Sequence, residues 1–236
     1  MRRLFFCDVH LSPRETARTE RFLRFLAREG PRADEIYILG DLFDYWIGPK
    51  HLRMPDYRGA LEALSRLARE RPIFFLIGNR DFYMSRGFQE ATGVRVVPGR
   101  TEHCLSSGGK RVYLCHGEYL EGRTDRGFRI QEFIRSAGFE RVFVRLPVCV
   151  ARAMAEFYRW LSTRKPVREC RPCPAIVEAK FRQGADVIIS GHFHDAAQQA
   201  LCVDGRQALF ITLADWAEGE SYLVEEGGRW ELRGGG

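Results

Sequence analysis

Five short apolar runs, each followed at once by polar residues, constrain the fold of this chain more than any other feature of its sequence. The runs span residues 4–7, 36–39, 73–77, 112–115 and 187–189. Between the first three, the apolar residues of 14–29 and 57–70 recur with the period of an α-helix. Fully apolar strands that alternate with helices are typical of α/β proteins in which both faces of each sheet are covered. The sequence therefore predicts an α/β fold.

The length of the chain, 236 residues, fits one large α/β domain. Later runs at 208–213, 221–224 and 230–232 have the pattern of strands near hairpins. In contrast, the segment of about 120–175 has no apolar run that ends in such polar residues. We therefore predict a single domain over residues 1–236, with a helical insert, or lid, at about 120–175.

The composition is typical of a soluble protein of a reducing compartment. No apolar stretch is long enough to span a bilayer, and the apolar run at the start is too short for a signal peptide. The seven cysteines are odd in number and scattered, which favours reduced thiols and a cytoplasmic location. The net charge of +6 is concentrated, because residues 141–171 hold eight basic and two acidic residues.

Oxygen or imidazole side chains follow each of the five apolar runs. Because open α/β sheets place their sites at the carboxyl ends of strands, we expect these side chains to converge. Two pairs are spaced i, i+2, so an extended backbone points both members of a pair to one side. Glycines precede three members of the set and allow unusual backbone torsions. The candidate metal ligands are Asp8, His10, Asp41, Asn79, His116, His192 and His194.

Seven such residues are too many for one metal ion with an open position, and they suit two ions that share a bridging carboxylate. A single aspartate at a strand end is usually a turn residue or a helix cap, but the same pattern after five strands indicates a site. Mixed oxygen and nitrogen ligation without a thiolate favours manganese, iron or zinc over magnesium alone. Two divalent metals are therefore the predicted cofactor.

The order of these motifs, D-x-H, G-D, G-N, H-G and G-H-x-H, resembles that of the calcineurin-like metallophosphoesterases. The blocks span residues 8–194, which is most of the chain. The resemblance implies a four-layer αββα sandwich with a dinuclear metal site. It also implies that one ion is held by Asp8, His10, Asp41 and His194. The other ion would be held by Asp41, Asn79, His116 and His192, with Asp41 as the bridge.

Arg80 narrows the predicted chemistry. Many members of this superfamily carry histidine at this position, where it is taken as the acid that protonates an alkoxide leaving group. Arginine is always protonated and cannot act as a general acid, but it can clamp phosphate oxygens. A phosphate that leaves from a pyrophosphate needs no such acid, because its relevant pKa is about 6. We therefore predict P–O–P cleavage, with Asn79, Arg80 and His116 as the catalytic residues.

Two stretches, GDLFDYWIG at 40–48 and GNRDF at 78–82, together resemble the UDP-2,3-diacylglucosamine pyrophosphatases of lipid A synthesis. That resemblance implies a lipid-linked UDP-sugar substrate, two Mn²⁺ ions, and the products UMP and 2,3-diacylglucosamine 1-phosphate. It also implies peripheral attachment to the cytoplasmic face of the inner membrane. The alternatives are another phosphoesterase of the superfamily, such as a nucleotide pyrophosphatase or phosphodiesterase, and a non-catalytic scaffold. Nothing in the sequence indicates an oligomeric state.

The insert has its own pattern. A helix over 146–161 would place six apolar residues on one face and three arginines, seven residues apart, on another. The apolar set is Leu146, Val150, Ala153, Met154, Phe157 and Leu161, and the basic set is Arg145, Arg152 and Arg159. This helix is either packed on the core with a solvated basic face or part of a lid that houses acyl chains and touches anionic lipid. The sequence lacks a recognisable DNA or RNA motif, so no nucleic-acid partner is predicted.

Further substrate-binding residues are implied only by the family resemblance. The complete predicted set is Asn79, Arg80, Asp125, Phe128, Ser162, Thr163, Lys165 and His192. Asp81 is expected to orient a neighbouring histidine or water molecule.

The pair C-x-x-C at 170–173 could be half of a zinc site or a redox pair. The chain has no second pair at a suitable spacing, so free thiols are the favoured interpretation.

Overall fold

Two β-sheets packed face to face form the centre of the protein, and helices cover their outer faces. The computed structural model describes residues 1–81, 83–84, 86–97, 102–164 and 170–234. The strands are β1 (Arg2–Phe6), β2 (Glu35–Ile38), β3 (Ile73–Phe75), β4 (Arg95–Val96), β5 (Glu102–Ser107), β6 (Lys110–Cys115), β7 (Val187–Ser190), β8 (Ala197–Val203), β9 (Arg206–Thr212), β10 (Ser221–Glu226) and β11 (Arg229–Gly234). The α-helices are α1 (Thr16–Glu29), α2 (Pro55–Glu70), α3 (Arg86–Thr92), α4 (Arg126–Ile134), α5 (Ala137–Phe143), α6 (Val148–Arg164) and α7 (Pro174–Arg182).

The first sheet has the strand order β11-β10-β1-β2-β3-β4, and the second has the order β5-β6-β7-β9-β8. Alternate residues of each strand belong to different apolar clusters, as the period of a β-strand requires. Leu4 and Phe6 pack in the cluster that contains residues of α1, α2 and α3, whereas Phe5 packs between the two sheets. A third cluster joins α7 to the outer face of the second sheet. The predicted four-layer αββα sandwich is confirmed.

The parallel strands bring the predicted ligands together. β1, β2 and β3 run parallel in one sheet, and β6, β7 and β9 run parallel in the other. Their carboxyl ends therefore meet at one edge of the sandwich. Beyond the strands, the backbone N–H of Asp8 still donates to the carbonyl of Gly40 at 3.1 Å. The loops that carry the ligands are thus extensions of the sheet.

Three strands, β4, β5 and β8, were not predicted from the apolar runs. β5 and β8 lie at the two edges of the second sheet, and most of their residues are exposed or half-buried. Because an edge strand with little burial needs no continuous apolar run, the apolar pattern does not reveal it. β4 has two residues and lies at an edge of the first sheet.

The insert contains α4, α5 and α6, and the described part of 120–175 includes no strand. The helix predicted over 146–161 is present as α6. Of its predicted apolar set, Val150 and Phe157 are 42% and 60% exposed, whereas Leu146 packs against the core. The positions of α6 that face the protein are the buried Ala151 and the half-buried Ala155 and Tyr158. Among the described residues, no helix has the length and apolarity needed to cross a bilayer.

Candidate metal centre

Five of the seven predicted ligands have a left-handed backbone conformation, which L-residues rarely adopt. Their φ angles are 50° for Asp8, 50° for His10, 52° for Asp41, 71° for His192 and 56° for His194. Among the described non-glycine residues, only Asp204 shares this conformation. Such strained residues persist only where the surrounding structure enforces them, and they cluster at functional sites.

Hydrogen bonds from the backbone enforce these turns. The N–H of His10 donates to the carbonyl of Asp41 at 3.0 Å, so one ligand loop holds another. The N–H of His192 donates to Oδ2 of Asp8 at 2.8 Å, and the N–H of Arg80 donates to Oδ1 of Asp41 at 2.8 Å. Each aspartate is thereby fixed through one oxygen. The other oxygen of Asp8, Oδ1, faces His10 and His194, whereas the other oxygen of Asp41, Oδ2, faces Nε of Arg80.

Two glycines allow the ligand loops to approach each other closely. A Cβ atom on Gly78 would lie 2.2 Å from Oδ1 of Asp41, and one on Gly191 would lie 2.4 Å from Oδ2 of Asp8. Real side chains do not reach such distances. Glycine is therefore required at both positions for the carboxylates to stay where they are.

Asp8, His10 and His194, three of the four residues predicted to hold the first ion, include buried polar atoms without hydrogen-bond partners. Oδ1 of Asp8 lies 3.7 Å from Nε2 of His10 and 3.6 Å from Nε2 of His194. Oδ1 of Asp8 and both ring nitrogens of His10 make no hydrogen bond. Because buried polar groups are almost always satisfied, unpartnered donor atoms that converge in this way fit a bound cation.

The second group surrounds the side-chain oxygen of Asn79. This oxygen lies 2.7 Å from Nε2 of His116 and 3.1 Å from Nδ1 of His192. Nδ1 of His116 lies 2.8 Å from the carbonyl of Leu39 and can only donate to it, so Nε2 of the neutral ring is left as an acceptor. Two acceptors that face each other need a proton or a metal ion between them.

The charges of the site also favour a cation. Burial lowers the pKa of His116, but the carboxylates of Asp41 and Asp8 outweigh it and raise this pKa to about 9. Burial raises the pKa of Asp41, whereas the charges of His116 and the other histidines keep the pKa of Asp8 well below its usual range despite burial. Metal ions would replace the protons that now balance these buried carboxylates.

Three carboxylate or amide residues and four imidazoles thus meet at one edge of the sandwich, as the sequence predicted. This oxygen and nitrogen donor set, without a thiolate, fits divalent manganese, iron or zinc. Asp8 forms one group with His10 and His194 and another with Asp41 and His116, so the residue shared by the two groups is Asp8 rather than the predicted bridge, Asp41.

Two carboxylates that the sequence analysis did not predict lie beside histidines of the candidate site. Each faces the ring nitrogen that points away from the other candidate ligands. Oδ2 of Asp215 lies 3.3 Å from Nδ1 of His194, and Oε2 of Glu121 lies 3.3 Å from Nε2 of His192. Such carboxylates fix the ring orientation and tautomer of a metal-binding histidine. Asp215 follows β9, so the strand-end pattern that revealed the other ligands could also have revealed it.

Asp81 has a different structural role from the one that the sequence predicted. Its carboxylate accepts hydrogen bonds from the backbone N–H groups of Gly78 at 2.8 Å and Leu42 at 3.0 Å. It therefore fastens two ligand loops to each other through their backbones, rather than orienting a histidine.

Arg80 lies between the candidate metal ligands and a cleft that it helps to line. Its Nη1 donates to Oδ1 of Asp44 at 2.9 Å, and its Nε lies 3.6 Å from Oδ2 of Asp41. These two carboxylates explain why an arginine is stable beside a cation site. The cleft beyond Arg80 is mostly apolar and is lined by Tyr45, Trp46, Ile47, Tyr83, Ile134, Phe139, Phe143, Met154, Ala155 and Tyr158.

The substrate-binding residues predicted in the insert are not brought together in the same way. Asp125 accepts from the N–H of Phe128 at 2.9 Å and caps α4, and it also pairs with Arg123. Neither Asp125 nor Phe128 is among the residues that line the cleft. Ser162 and Thr163 lie on α6 by their backbone positions, and Lys165 lies outside the described residues.

Comparison with known proteins agrees with this geometry. The sequence profile of the calcineurin-like phosphoesterases matches residues 1–196, so the chain belongs to the calcineurin-like phosphoesterase family. Among curated relatives, a UDP-2,3-diacylglucosamine hydrolase of Stenotrophomonas maltophilia is 34% identical over 248 residues, covering 98% of each chain. One of Coxiella burnetii is 31% identical and covers 98% of this chain and 96% of the relative. A solved archaeal phosphodiesterase, with a TM-score of 0.50, 10% identity and 99% coverage of both chains, supports the fold alone.

Proposed function

We propose that this chain hydrolyses the pyrophosphate bond of UDP-2,3-diacylglucosamine to give UMP and 2,3-diacylglucosamine 1-phosphate. The observation that carries the proposal is the direct passage from the ligand cluster, through Arg80, into the apolar cleft. A substrate with a charged pyrophosphate and two acyl chains matches both ends of this passage. The names of the full-length relatives state the same substrate.

Two divalent ions held by the seven ligands would activate a water molecule and neutralise phosphate oxygens. We assign Mn²⁺ to both positions, because it accepts carboxylate, amide and imidazole ligands together. The chain contributes the fixed orientation of the donor atoms. Asp8 and Asp41 are held through backbone N–H groups, and His116 is held through the carbonyl of Leu39.

Arg80 binds the phosphate that leaves. Its guanidinium exchanges part of its pairing with Asp44 for oxygens of the pyrophosphate, and arginine can contact two such oxygens at once. The departing phosphate accepts the electron pair of the broken P–O bond and needs no proton from the protein, since its pKa is about 6. A permanent positive charge is therefore better suited to this position than a general acid.

The apolar cleft binds an acyl chain of the substrate. Aromatic and aliphatic side chains surround the cleft, from the loops after β2 and β3 and from α4, α5 and α6, which is the kind of lining that small-molecule sites have. A water-soluble nucleotide would leave this apolar surface uncovered. The cleft therefore favours a lipid-linked substrate over ADP-ribose or a similar compound.

The outer surface of the insert supports peripheral attachment to the cytoplasmic face of an anionic membrane. Large apolar side chains are exposed there, namely Ile130, Phe133, Val142, Val148, Val150, Met154 and Phe157. Exposed arginines at 126, 129, 141, 145 and 152 surround them. Apolar residues beside basic ones are the pattern of interfacial helices that bind anionic lipid.

The substrate proposal is tested by incubating the Mn²⁺-loaded protein separately with UDP-2,3-diacylglucosamine, CDP-diacylglycerol and ADP-ribose. We expect UMP from the first and little turnover of the other two. Turnover of either alternative without UMP release from the first would contradict the proposed substrate. Absence of turnover with all three, in protein that retains two metal ions, would favour a binding scaffold.

The membrane proposal is tested by sedimentation with vesicles of phosphatidylethanolamine, with and without phosphatidylglycerol. We expect wild-type protein to bind the anionic vesicles and the double variant Phe133→Ser, Phe157→Ser to bind at least several-fold more weakly. Gln199→Ser, on the exposed edge strand β8, is the control and should bind as wild type does. Equal binding of all three proteins would contradict attachment through the insert.

A further inference from the structure

Among the residues that the structure describes, Arg135 is the one arginine that is buried, and it is 3% exposed. It lies directly after α4, where the insert turns toward α5. Its Nη2 donates to Oε1 of Glu118 at 2.8 Å, and Glu118 is 2% exposed. Burying two opposite charges carries a large desolvation cost, which their attraction often only offsets. Stability alone therefore does not account for this ion pair.

The ion pair joins two loops that carry candidate metal ligands. Glu118 lies two residues after His116, in the loop after β6. The same Nη2 of Arg135 also donates to the carbonyl of Gly78 at 3.4 Å. Because the peptide group is planar, the position of this carbonyl fixes the backbone N–H of Asn79 as well. Arg135 thus holds the loops of Asn79 and His116 together.

The two predicted ion positions depend on these contacts to different degrees. Asn79 and His116, two of the four ligands implied for the second ion, lie in the loops that Arg135 joins. Asp8 and His10, two of the ligands implied for the first ion, follow β1 instead. Loss of the Arg135 contacts should therefore loosen the second ion position more than the first.

Arg135 also lies beside the wall of the apolar cleft. The preceding residue, Ile134, lines the cleft, and its carbonyl accepts a hydrogen bond from the hydroxyl of Tyr83 at 2.6 Å. Nη1 of Arg135 donates to the hydroxyl of Tyr119 at 3.0 Å. One side chain therefore connects the wall of the cleft to the candidate metal centre.

We propose that Arg135, paired with Glu118, is a positioning residue that sets the affinity of the second ion position and couples it to the insert. It supplies no ligand atom and acts through the peptide after Gly78 and through the loop of His116. Second-shell contacts of this kind change metal affinity by about 10- to 100-fold. The consequence for hydrolysis rests on the proposed function, whereas the effect on metal binding does not.

The binding test titrates metal-free full-length protein with Mn²⁺ and counts the unbound ion by its electron paramagnetic resonance signal. The double variant Glu118→Leu, Arg135→Met replaces the buried ion pair with apolar side chains of similar size, a change that is often neutral for stability. We expect wild type to bind two ions. The double variant should unfold at a similar denaturant concentration but bind the second ion at least ten-fold more weakly.

Arg135→Lys keeps the test decisive if the double variant does not fold. Lysine retains the charge beside Glu118 but lacks the planar two-nitrogen fork, so it too should weaken the second ion. The control is Arg3→Lys, because Arg3 pairs with Glu35 and Glu225 near the start of β1, at the opposite end of the strand from the ligands. It should bind both ions as wild type does.

Three results would overturn the proposal. The first is wild-type affinity for the second ion in the folded double variant or in Arg135→Lys. The second is an equal loss of affinity in Arg3→Lys, which would indicate general loosening of the fold. The third is a single bound ion in wild type, because a second position would then not exist.

The coupling to hydrolysis is measured as the dependence of the rate on Mn²⁺ concentration with the diacyl substrate. We expect the half-saturating Mn²⁺ concentration of Arg135→Lys to rise at least ten-fold and its maximal rate to stay close to that of wild type. A lower maximal rate with unchanged Mn²⁺ dependence would overturn the coupling. Because the Mn²⁺ titration needs no substrate, failure of the proposed function leaves the binding test intact.

Discussion

The strand-end loops and the insert differ in which side chains are buried and which are exposed. In the loops, charged and polar ligands are inside, and Asp8 and His116 are both 0% exposed. In the insert, large apolar residues are outside, and Phe133 and Phe157 are 64% and 60% exposed. Of the described large apolar residues that are exposed, all but Met1 and Tyr119 lie in the insert. The difference separates the loops that hold the candidate metal ligands from a surface that we propose binds lipid.

Glycine to alanine changes in the two regions should give the largest contrast. In Gly78→Ala, the new methyl group would meet Asp41 at 2.2 Å, so we expect at least 100-fold loss of activity and loss of bound metal. In Gly138→Ala, on α5, the new methyl group meets no atom within 4 Å, so activity should stay and stability should rise by about 1 kcal/mol. Metal analysis, hydrolysis rates and thermal unfolding check both variants. Wild-type metal content in Gly78→Ala would contradict the claim that the close approach of the two loops is needed to bind metal.

Arg80→Ala tests whether the strand-end loops bind metal independently of phosphate recognition. The side chain pairs with Asp44 and borders the cleft, but it supplies no metal-ligand atom. We expect roughly 100-fold lower turnover, from loss of a charge-assisted contact to the leaving phosphate, with metal content unchanged. Arg80→Lys should recover only part of the rate, because lysine lacks the bidentate geometry. Loss of metal from Arg80→Ala would show that the side chain supports the ligands instead.

Filling the cleft tests whether the insert recognises only the lipid part of the substrate. Ala155 lines the cleft on α6, whereas Ala153 is exposed on the same helix. We expect Ala155→Trp to lower kcat/KM for the diacyl substrate about ten-fold and to leave hydrolysis of bis(p-nitrophenyl) phosphate unchanged. Ala153→Trp should behave as wild type with both substrates. Equal loss on both substrates in Ala155→Trp would place the effect in the strand-end loops.

The smallest expected effect is on how the free energy of unfolding depends on pH, and it involves His51, which lies between β2 and α2. Burial, with the charge of Arg152, lowers its pKa to about 3, and the aromatic rings of Trp46 and Tyr57 surround it. The unfolded chain takes up a proton near pH 6.5, so this contribution to stability is full above pH 6.5 and falls as pH drops toward 3.

Denaturant unfolding at pH 7 and pH 5 checks this sign. His51→Gln should lose about 1–2 kcal/mol less free energy of unfolding than wild type over that interval. His103→Gln, which changes a half-buried histidine elsewhere, should keep most of the wild-type dependence. An unchanged dependence in His51→Gln would mean that other groups dominate the acid response.

The convergence of the candidate metal ligands could be predicted because the carboxyl ends of parallel strands meet at one edge of a sheet whatever the tertiary detail. Asp41 and Asn79 followed apolar runs, and the sheet placed them together. The inward face of α6 could not be predicted in this way. Ala151 is buried and Ala155 half-buried because small side chains allow close approach, and a search for large apolar residues selects Phe157 instead.

Contacts between segments that are distant in the chain could not be predicted from the sequence either. Glu121 reaches His192 across 71 positions of the chain, and no local pattern marks it as a partner. Asp44 lies three residues after Asp41, yet its pairing with Arg80 depends on the packing of two loops. Residues whose partners come from loop packing need the folded structure to be recognised.

The left-handed ligands have a consequence for the evolution of the chain. Each occupies a conformation that costs roughly 1–3 kcal/mol for a residue with a side chain, and glycine would fit at less cost. Substituting these positions would therefore tend to stabilise the fold while abolishing its chemistry. A lineage that no longer needed the reaction would have every thermodynamic reason to replace them. Their joint presence in this chain is the mark of selection for activity against stability.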